Sequence, residues 1–600
     1  MLDLEIADLA LLSDCRTAAL VDRGGAVCWW SPGRFDRPSV FGRLLGPDAG
    51  SWTVRARDAG SPERRYLDDG PILHTIWTTA TGTLEVTDAL LLEPGVRGHA
   101  IRGAATTRLA RLARCTQGDV EVIFELDARP EYGLVEPHLE PADGGWDLVG
   151  GPIHLRLRGD PVRADGGRLR ATISLRAGET ASWVLATGEA DGRTAADALD
   201  DTCAGWRSWA ASHQPIPGPH AAAVSRSAMV LQALTHAPTG VVVAAPTTSL
   251  PERIGQEWNW DYRYAWLRDL AFVVRALWTA SCPDEPVRYL DWIGRALGRL
   301  DGEHVQIMFG VEGERDLTER TLSHLPGFAG SRPVRVGNDA WRQRQLDVLG
   351  EVLDAAHLLR DYLADGMREA LRTTLVGLAD QAASDWRQPD YGMWEARDRE
   401  RPYLSSKVMC WVALDRAVRL APRLGAGHRI ATWTSERDAI RGAVLGEGWN
   451  AEVGAFTGAF GSDELDASVL LMPLVGVVGG GDPRMRATVD RIEERLASER
   501  GVQRWADEGS GFVLCGFWLA ECHALAGDTE RAERRFAATA AAQNDLGLMA
   551  EEVDLQTGAA LGNTPQALSH VGLINAAARL AGAAPPTPSD RDDQDERTQA

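Results

Sequence analysis

An α+β chain in two parts, an N-terminal antiparallel β-sandwich followed by an (α/α)6 barrel, is the architecture this sequence predicts. Three observations predict it. Apolar residues recur with a strand-like period over roughly the first 210 positions, three prolines then fall within positions 215–219, and beyond them helices that are apolar all round alternate with helices carrying one charged face. At 600 residues the chain exceeds what one ordinary core organises, so two packed units are expected.

The strand pattern is clearest at 51–56, 72–79, 120–126 and 153–158, where β-branched and aromatic residues alternate or cluster between Gly, Asp and Pro turns. Short strands at regular spacing assign 1–212 to a sandwich. Residues 213–220, with Pro215, Pro217 and Pro219, lack backbone donors and read as a stiff linker. From 221 to 583 the period is helical. The stretches 408–414, 467–475 and 511–520 are apolar on every side and must be covered by protein, whereas 436–445, 489–496 and 529–536 keep a charged face for water. About twelve helices in two layers give the (α/α)6 barrel, and the same periodicity is compatible with an irregular helical bundle or an α-solenoid. Residues 584–600 are polar, acidic and proline-bearing, and are expected to be disordered.

A formal charge of −22 repels phosphate backbones and anionic lipid, so nucleic acid and membranes are poor partners and a neutral or cationic small molecule fits better. The first ten residues carry no basic region ahead of a long apolar core, and no run of about 18 apolar residues occurs elsewhere, which points to a cytoplasmic protein. The eight cysteines stand singly, without zinc spacing, and Cys410 and Cys515 fall in apolar helices where an inert thiol is expected. The sequence leaves the oligomeric state open.

Two stretches offer the chemistry of glycosidic cleavage, which needs one carboxyl protonated for the leaving oxygen and another ionised to activate water. They are Trp394-Glu395 and Glu551-Glu552. Pro389, Asp390 and Gly392 mark a loop, so Glu395 is expected beside the indole of Trp394, a partly desolvated setting that favours its protonated form. Glu551 lies in a polar stretch with Glu552 and Asp554, which favours ionisation, ahead of Thr564 and Pro565 as cap and first turn of the last helix. A one-residue slip would exchange Glu551 and Glu552 as base and supporting group. The stretch 258–269 places five aromatics and four charged groups in twelve positions, which suits the apolar faces and hydroxyls of a pyranose and equally suits core packing around a structural Arg268–Asp269 pair.

The segment Asn259-Trp260-Asp261-Tyr262-Arg263-Tyr264-Ala265-Trp266-Leu267-Arg268-Asp269 resembles the signature of the glucoamylase-like inverting glycoside hydrolases, family 15, and segments 6–17, 38–41, 245–252, 330–338, 406–416 and 569–575 resemble its bacterial branch, actinobacterial trehalases included. The resemblance covers all but the acidic tail. It implies a β-sandwich and an (α/α)6 catalytic barrel, Glu395 as general acid, Glu551 as general base, Arg268 and Asp269 on the hydroxyls of the non-reducing-end glucose, and Tyr262 and Trp266 lining that subsite. Trp394, Glu552 and Asp347 are further candidates for the sugar pocket, Asp347 because the family places a Gln-x-Asp stretch there, although a helix-starting Asp explains it as well. The chain departs from the family at Trp258, where Arg is common, at Ala265, where Cys is common, and at Thr564 and Leu568, where Phe is common. The function implied is inverting, exo-acting hydrolysis of a small α-glucoside with release of β-glucose, trehalose first and malto- or isomalto-oligosaccharides next, with neither cofactor nor metal required. A glycoside transferase or phosphorylase and a non-catalytic carbohydrate-binding relative are the readings of other classes.

Overall fold

The computed structural model describes residues 4–583 apart from 68, 190, 215, 281, 283, 299–304 and 362–366. The expectation for the tail at 584–600 lies outside the described residues.

The first part is built on one long strand, Arg108–Asp127, that belongs to two antiparallel layers. Its first half pairs with Gly82–Leu90 and Thr180–Ala186, its second half with Ser51–Ala56 and Arg168–Arg176. A register shift between Thr83 and Leu84 marks the place where the strand leaves one layer for the other, as a bulge bends and twists its strand. The inner faces meet over Trp52, Phe124 and Trp183, with ring centroids 6.0 and 4.8 Å apart. Arg111 lies fully buried among them and is tolerated because its hydrogen bonds are met: Asp88 takes two, at 2.8 and 3.1 Å, and the carbonyls of Trp52 and Gly25 take two more. The predicted sandwich is thus present as two layers sharing a strand.

Thirteen α-helices follow among the described residues: α1 (Ala195–Ala210), α2 (Ala221–Ala233), α3 (Leu267–Thr279), α4 (Asp284–Leu297), α5 (Asp347–Leu358), α6 (Glu369–Asp385), α7 (Leu404–Leu424), α8 (Ile430–Gly446), α9 (Leu471–Val475), α10 (Pro483–Leu496), α11 (Val513–Leu525), α12 (Thr529–Ala540) and α13 (Ala567–Leu580). Helix α1 leans on the sheet domain, against the strand Arg108–Asp127. The others form a closed double ring. Helices α3, α5, α7, α9, α11 and α13 touch in that order and α13 returns to α3, while α4, α6, α8, α10, α12 and α2 cover them outside. Ring closure is what separates the barrel from the bundle and the solenoid that periodicity alone allows. The inner set is the set buried nearly all round: in α11 every residue from Val513 to His523 is buried, whereas α12 buries only Ala532, Phe536 and Thr539.

The inner helices pack closely enough to demand small residues. A Cβ on Gly350 of α5 would stand 2.1 Å from the Met409 carbonyl oxygen of α7, a backbone atom that cannot turn aside. Gly350→Ala is therefore expected to lower stability by about 3 kcal/mol, read as a fall of the unfolding midpoint by several degrees.

Candidate active site

All six inner helices begin at the same end of the ring, and the segments leading into them enclose a cavity of about 1400 Å³. The residues capping four of these starts, Trp266, Tyr403, Phe512 and Gln566, line it directly, as does Asp466, which caps the short 3-10 turn leading into α9. Of the residues predicted from sequence, Tyr262, Trp266, Arg268, Asp269, Trp394, Glu395 and Glu551 also line it. Asp347 and Glu552 do not.

Glu395 projects from a loop whose neck is closed by Asp390 and Arg401, which exchange backbone hydrogen bonds of 3.0 and 2.8 Å. The Asp390 carboxylate pins that neck, accepting from the Leu346 amide at 2.9 Å and the Ser406 hydroxyl at 2.7 Å at the starts of α5 and α7. Glu395 itself has φ of +59°, which costs a non-glycine residue about 1–2 kcal/mol and is held by amide bonds from Glu395 to Gly392 and from Ala396 to Tyr391. The strained turn aims the carboxyl into the cavity.

Two donors meet it there. Trp266 Nε1 and Arg268 both donate to Glu395 Oε1, at 2.7 and 2.8 Å. The indole that attends Glu395 is therefore Trp266, and the expected pairing with Trp394 is corrected: Trp394 Nε1 donates to Asp466 Oδ1 at 2.8 Å, because the turn at Glu395 sends consecutive side chains apart. Asp347, the first residue of α5, is fully buried and accepts from Arg268 at 2.9 Å, while Gln345 accepts from the same guanidinium at 3.0 Å. Asp347 thus supports Arg268 instead of reaching the cavity. Beside them, burial pushes the Asp269 carboxyl up to about 7 against the opposing pull of Arg268, and its Oδ1 has no protein partner.

Glu551 and Glu552 are told apart by the backbone. The strand Glu552–Asp554 pairs with Ser510–Phe512, and neighbouring side chains at such a strand leave on opposite faces. Glu551 turns to the cavity, where Tyr262 donates to its Oε1 at 2.6 Å and Oε2 lacks a protein partner. Glu552 turns away and meets Arg504 at 2.8 Å, so its expected place at the sugar is corrected. The expected ionising environment of Glu551 is also corrected. The side chain is buried, and burial together with the neighbouring Glu252 holds its carboxyl well above the ordinary glutamate range, although Tyr262, Arg504 and the Asn563 amide pull the other way. The last helix starts later than expected, with Gln566 as its cap accepting from the Ser569 amide at 2.8 Å.

Gly562 completes this corner. It has φ of +75°, and a Cβ there would stand 2.5 Å from Glu551 Oε2. Gly562→Ala should displace the Glu551 carboxyl and lower kcat/KM by about 100-fold, as an ångström of misplacement does, with a cooperative melt retained.

The sequence assigns no individual role to several further lining residues. Trp260 lies between Arg335 and Arg397, with guanidinium carbons 4.6 and 4.4 Å from its ring centroid. Trp258, the departure from the family pattern, is in the cavity wall under Arg253 at 4.7 Å. Glu252 and Arg504 also face the cavity and belong to a buried ionic group behind Glu551. Arg504 and Glu508 are a local pair four positions apart, but nothing in the spacing ties them to Glu252 and Glu552, which come from two distant stretches. Cys410 and Cys515 are buried and burial raises both thiols, as expected. Among the described residues no group of three or more His, Cys, Asp or Glu side chains could hold a metal ion, and no helix is long and apolar enough to cross a membrane.

A cavity walled by indoles, floored by an arginine and a carboxyl, and flanked by two glutamates on separate loops is that of a glycoside hydrolase, and residues 218–578 match the sequence model of Glycosyl hydrolases family 15 while residues 3–196 match that of Trehalase-like, N-terminal. The chain belongs to glycosyl hydrolase family 15. It is 36% identical to a trehalase of Mycolicibacterium smegmatis over 95% of this chain and 90% of that protein, and 35% identical to a trehalase of Mycobacterium tuberculosis over 95% and 89%. A bacterial glucoamylase solved with acarbose shares the fold, with a TM-score of 0.70 at 13% identity across 96% of this chain and 94% of its own.

Proposed function

We propose that this family 15 enzyme hydrolyses trehalose with inversion, with Glu395 as general acid and Glu551 as general base. One observation carries the pairing of the two glutamates. Tyr262 and Trp266 stand edge to face, 5.6 Å between centroids, and each bonds one of the two carboxyls, Tyr262 to Glu551 and Trp266 to Glu395. The aromatic pair therefore ties acid and base to one cavity. Trehalose as substrate is supported by relatives so named that align with 95% of the chain, its N-terminal part included.

In this reading one glucose ring enters toward α3, against Trp266, with Arg268 and Asp269 at its hydroxyls. A carboxyl near neutrality such as Asp269 pairs with a hydroxyl as donor or acceptor. Both protein contacts of Glu395 fall on Oε1, which leaves its second oxygen to carry the proton to the glycosidic oxygen. The C1–O bond breaks with its electron pair on that oxygen. Tyr262 occupies Oε1 of Glu551, so Oε2 takes the proton of the attacking water, whose oxygen joins C1 on the opposite face. The attacked glucose leaves as the β anomer. The other keeps its own C1–O bond and leaves as the α anomer.

The substrate assignment is tested by kcat/KM on trehalose, maltose and isomaltose. Trehalose should lead by about tenfold or more, the discrimination that a few pocket contacts supply. A lead for maltose or isomaltose contradicts trehalose as the substrate and leaves the roles of the two glutamates in place.

A further inference from the structure

Behind the base lies a charge cluster larger than acid–base cleavage requires. Arg504 is buried and meets three glutamates, Glu508 at 2.6 Å, Glu252 at 2.7 Å and Glu552 at 2.8 Å. Its guanidinium is further enclosed by Phe512 at 5.1 Å, Trp505 at 5.0 Å and Trp394 at 5.9 Å. Glu551 is the fourth carboxyl of this neighbourhood. Around it stand the Tyr262 hydroxyl, the Asn563 amide, Glu252, Glu552 and Arg504, and Glu508 meets the same arginine. One cation thus faces four carboxyls. Its ion pairs go to the other three, and Glu551 receives a phenol instead.

The loop bearing Glu252 is fixed to the base. The Gly562 amide donates to the Pro251 carbonyl at 2.8 Å, the Glu252 amide to the Trp258 carbonyl at 3.0 Å, and the Asn563 side chain to the Trp260 carbonyl at 2.9 Å. Glu252 itself is buried, lines the cavity, and is held by Arg504. A carboxylate locked beside another in a buried site makes the second harder to ionise, and a base that holds its proton more firmly also takes it more readily from water. Glu508 and Glu552 spend part of the arginine's charge and so act in the same sense.

We propose that Glu252 is a positioning residue that serves Glu551 as a fixed negative neighbour, making it a stronger proton acceptor toward the attacking water. The inference rests on Glu551 being the base. It explains why a base would be buried next to an arginine that it does not bind: full neutralisation would leave Glu551 a weaker proton acceptor.

The test is the pH dependence of kcat/KM on α-glucosyl fluoride, whose leaving group needs no protein acid, so that the acid limb reports the base. A base works deprotonated, so a neighbour that raises its proton affinity moves the acid limb to higher pH, and loss of that neighbour moves it down. Glu252→Gln should displace the limb toward lower pH by about 0.5–1 unit and lower the plateau by about 3–10-fold, while Glu252→Asp, which keeps the charge, should leave the limb near that of the unaltered protein. A Glu252→Gln limb that stays in place, whatever the plateau, overturns the proposal, since a purely structural loss lowers the plateau alone. Should Glu252→Gln give no cooperative melt, Glu508→Gln replaces it. That change releases arginine charge toward Glu551, so the limb should again move down, and an unmoved limb again overturns the proposal. Failure of the base assignment is seen separately, as Glu551→Gln that still turns over the fluoride.

Discussion

Glu551→Gln is expected to lower kcat on trehalose by about 10²–10⁴ with the melt unchanged in cooperativity, the loss typical of removing a positioned proton acceptor. The amide keeps the volume and the Tyr262 contact and removes the ability to take a proton. Its neighbour gives the contrast. Glu552→Gln takes an anion from the buried Arg504, which should cost about 1–3 kcal/mol of stability while kcat changes by less than about tenfold. If the two glutamines behave the other way round, the base is Glu552. Azide separates a lost base from a lost fold. It needs no deprotonation, so Glu551→Ala supplied with azide and α-glucosyl fluoride should form β-glucosyl azide as fluoride departs from the opposite face.

The second large effect concerns the acid. Glu395→Gln should cost about 10²–10⁴ on trehalose, whose leaving glucose must be protonated, and less than about tenfold on α-glucosyl fluoride, whose leaving fluoride need not be. Equal losses on both substrates would show that Glu395 acts through binding. The fold should be that of the unaltered protein, because Trp266 and Arg268 retain an oxygen to bond at the same place.

Much of this was legible in the linear sequence, for reasons that differ by element. The sheet domain announces itself because side chains alternate across each strand, as in Ser51–Ala56, where Trp52, Val54 and Ala56 are buried. The inner helices announce themselves because they are covered on every side, so apolar residues run round the whole helix, as from Val513 to Ala520 in α11. Ring closure is invisible to periodicity, since it depends on α13 meeting α3 from the far end of the barrel sequence. The stretch leading into α3 was legible because Tyr262, Trp266, Arg268 and Asp269 all serve one cavity from one segment.

The rest is set by geometry that sequence spacing does not carry. Trp394 precedes Glu395 in the chain, but the left-handed backbone at Glu395 sends the two side chains in different directions. Glu551 and Glu552 are equivalent as letters and differ only through the strand that begins between them. Asp347 was legible as a helix start and as a sugar-pocket candidate, and it serves the pocket through Arg268. Glu252 lay in a stretch that resembles the family and carried no visible role, because its partners Arg504 and Glu551 come from two other loops.

The most direct test of the central claim, that Glu395 and Glu551 act on one glycosidic bond with water between base and sugar, is the anomeric composition of the first glucose released from trehalose, followed by ¹H NMR before mutarotation. Equal α and β signals are predicted, the β from the attacked ring and the α from the leaving ring. Release of the α anomer alone would mean retention at the attacked carbon, and the pairing of Glu395 as acid with Glu551 as base could not stand.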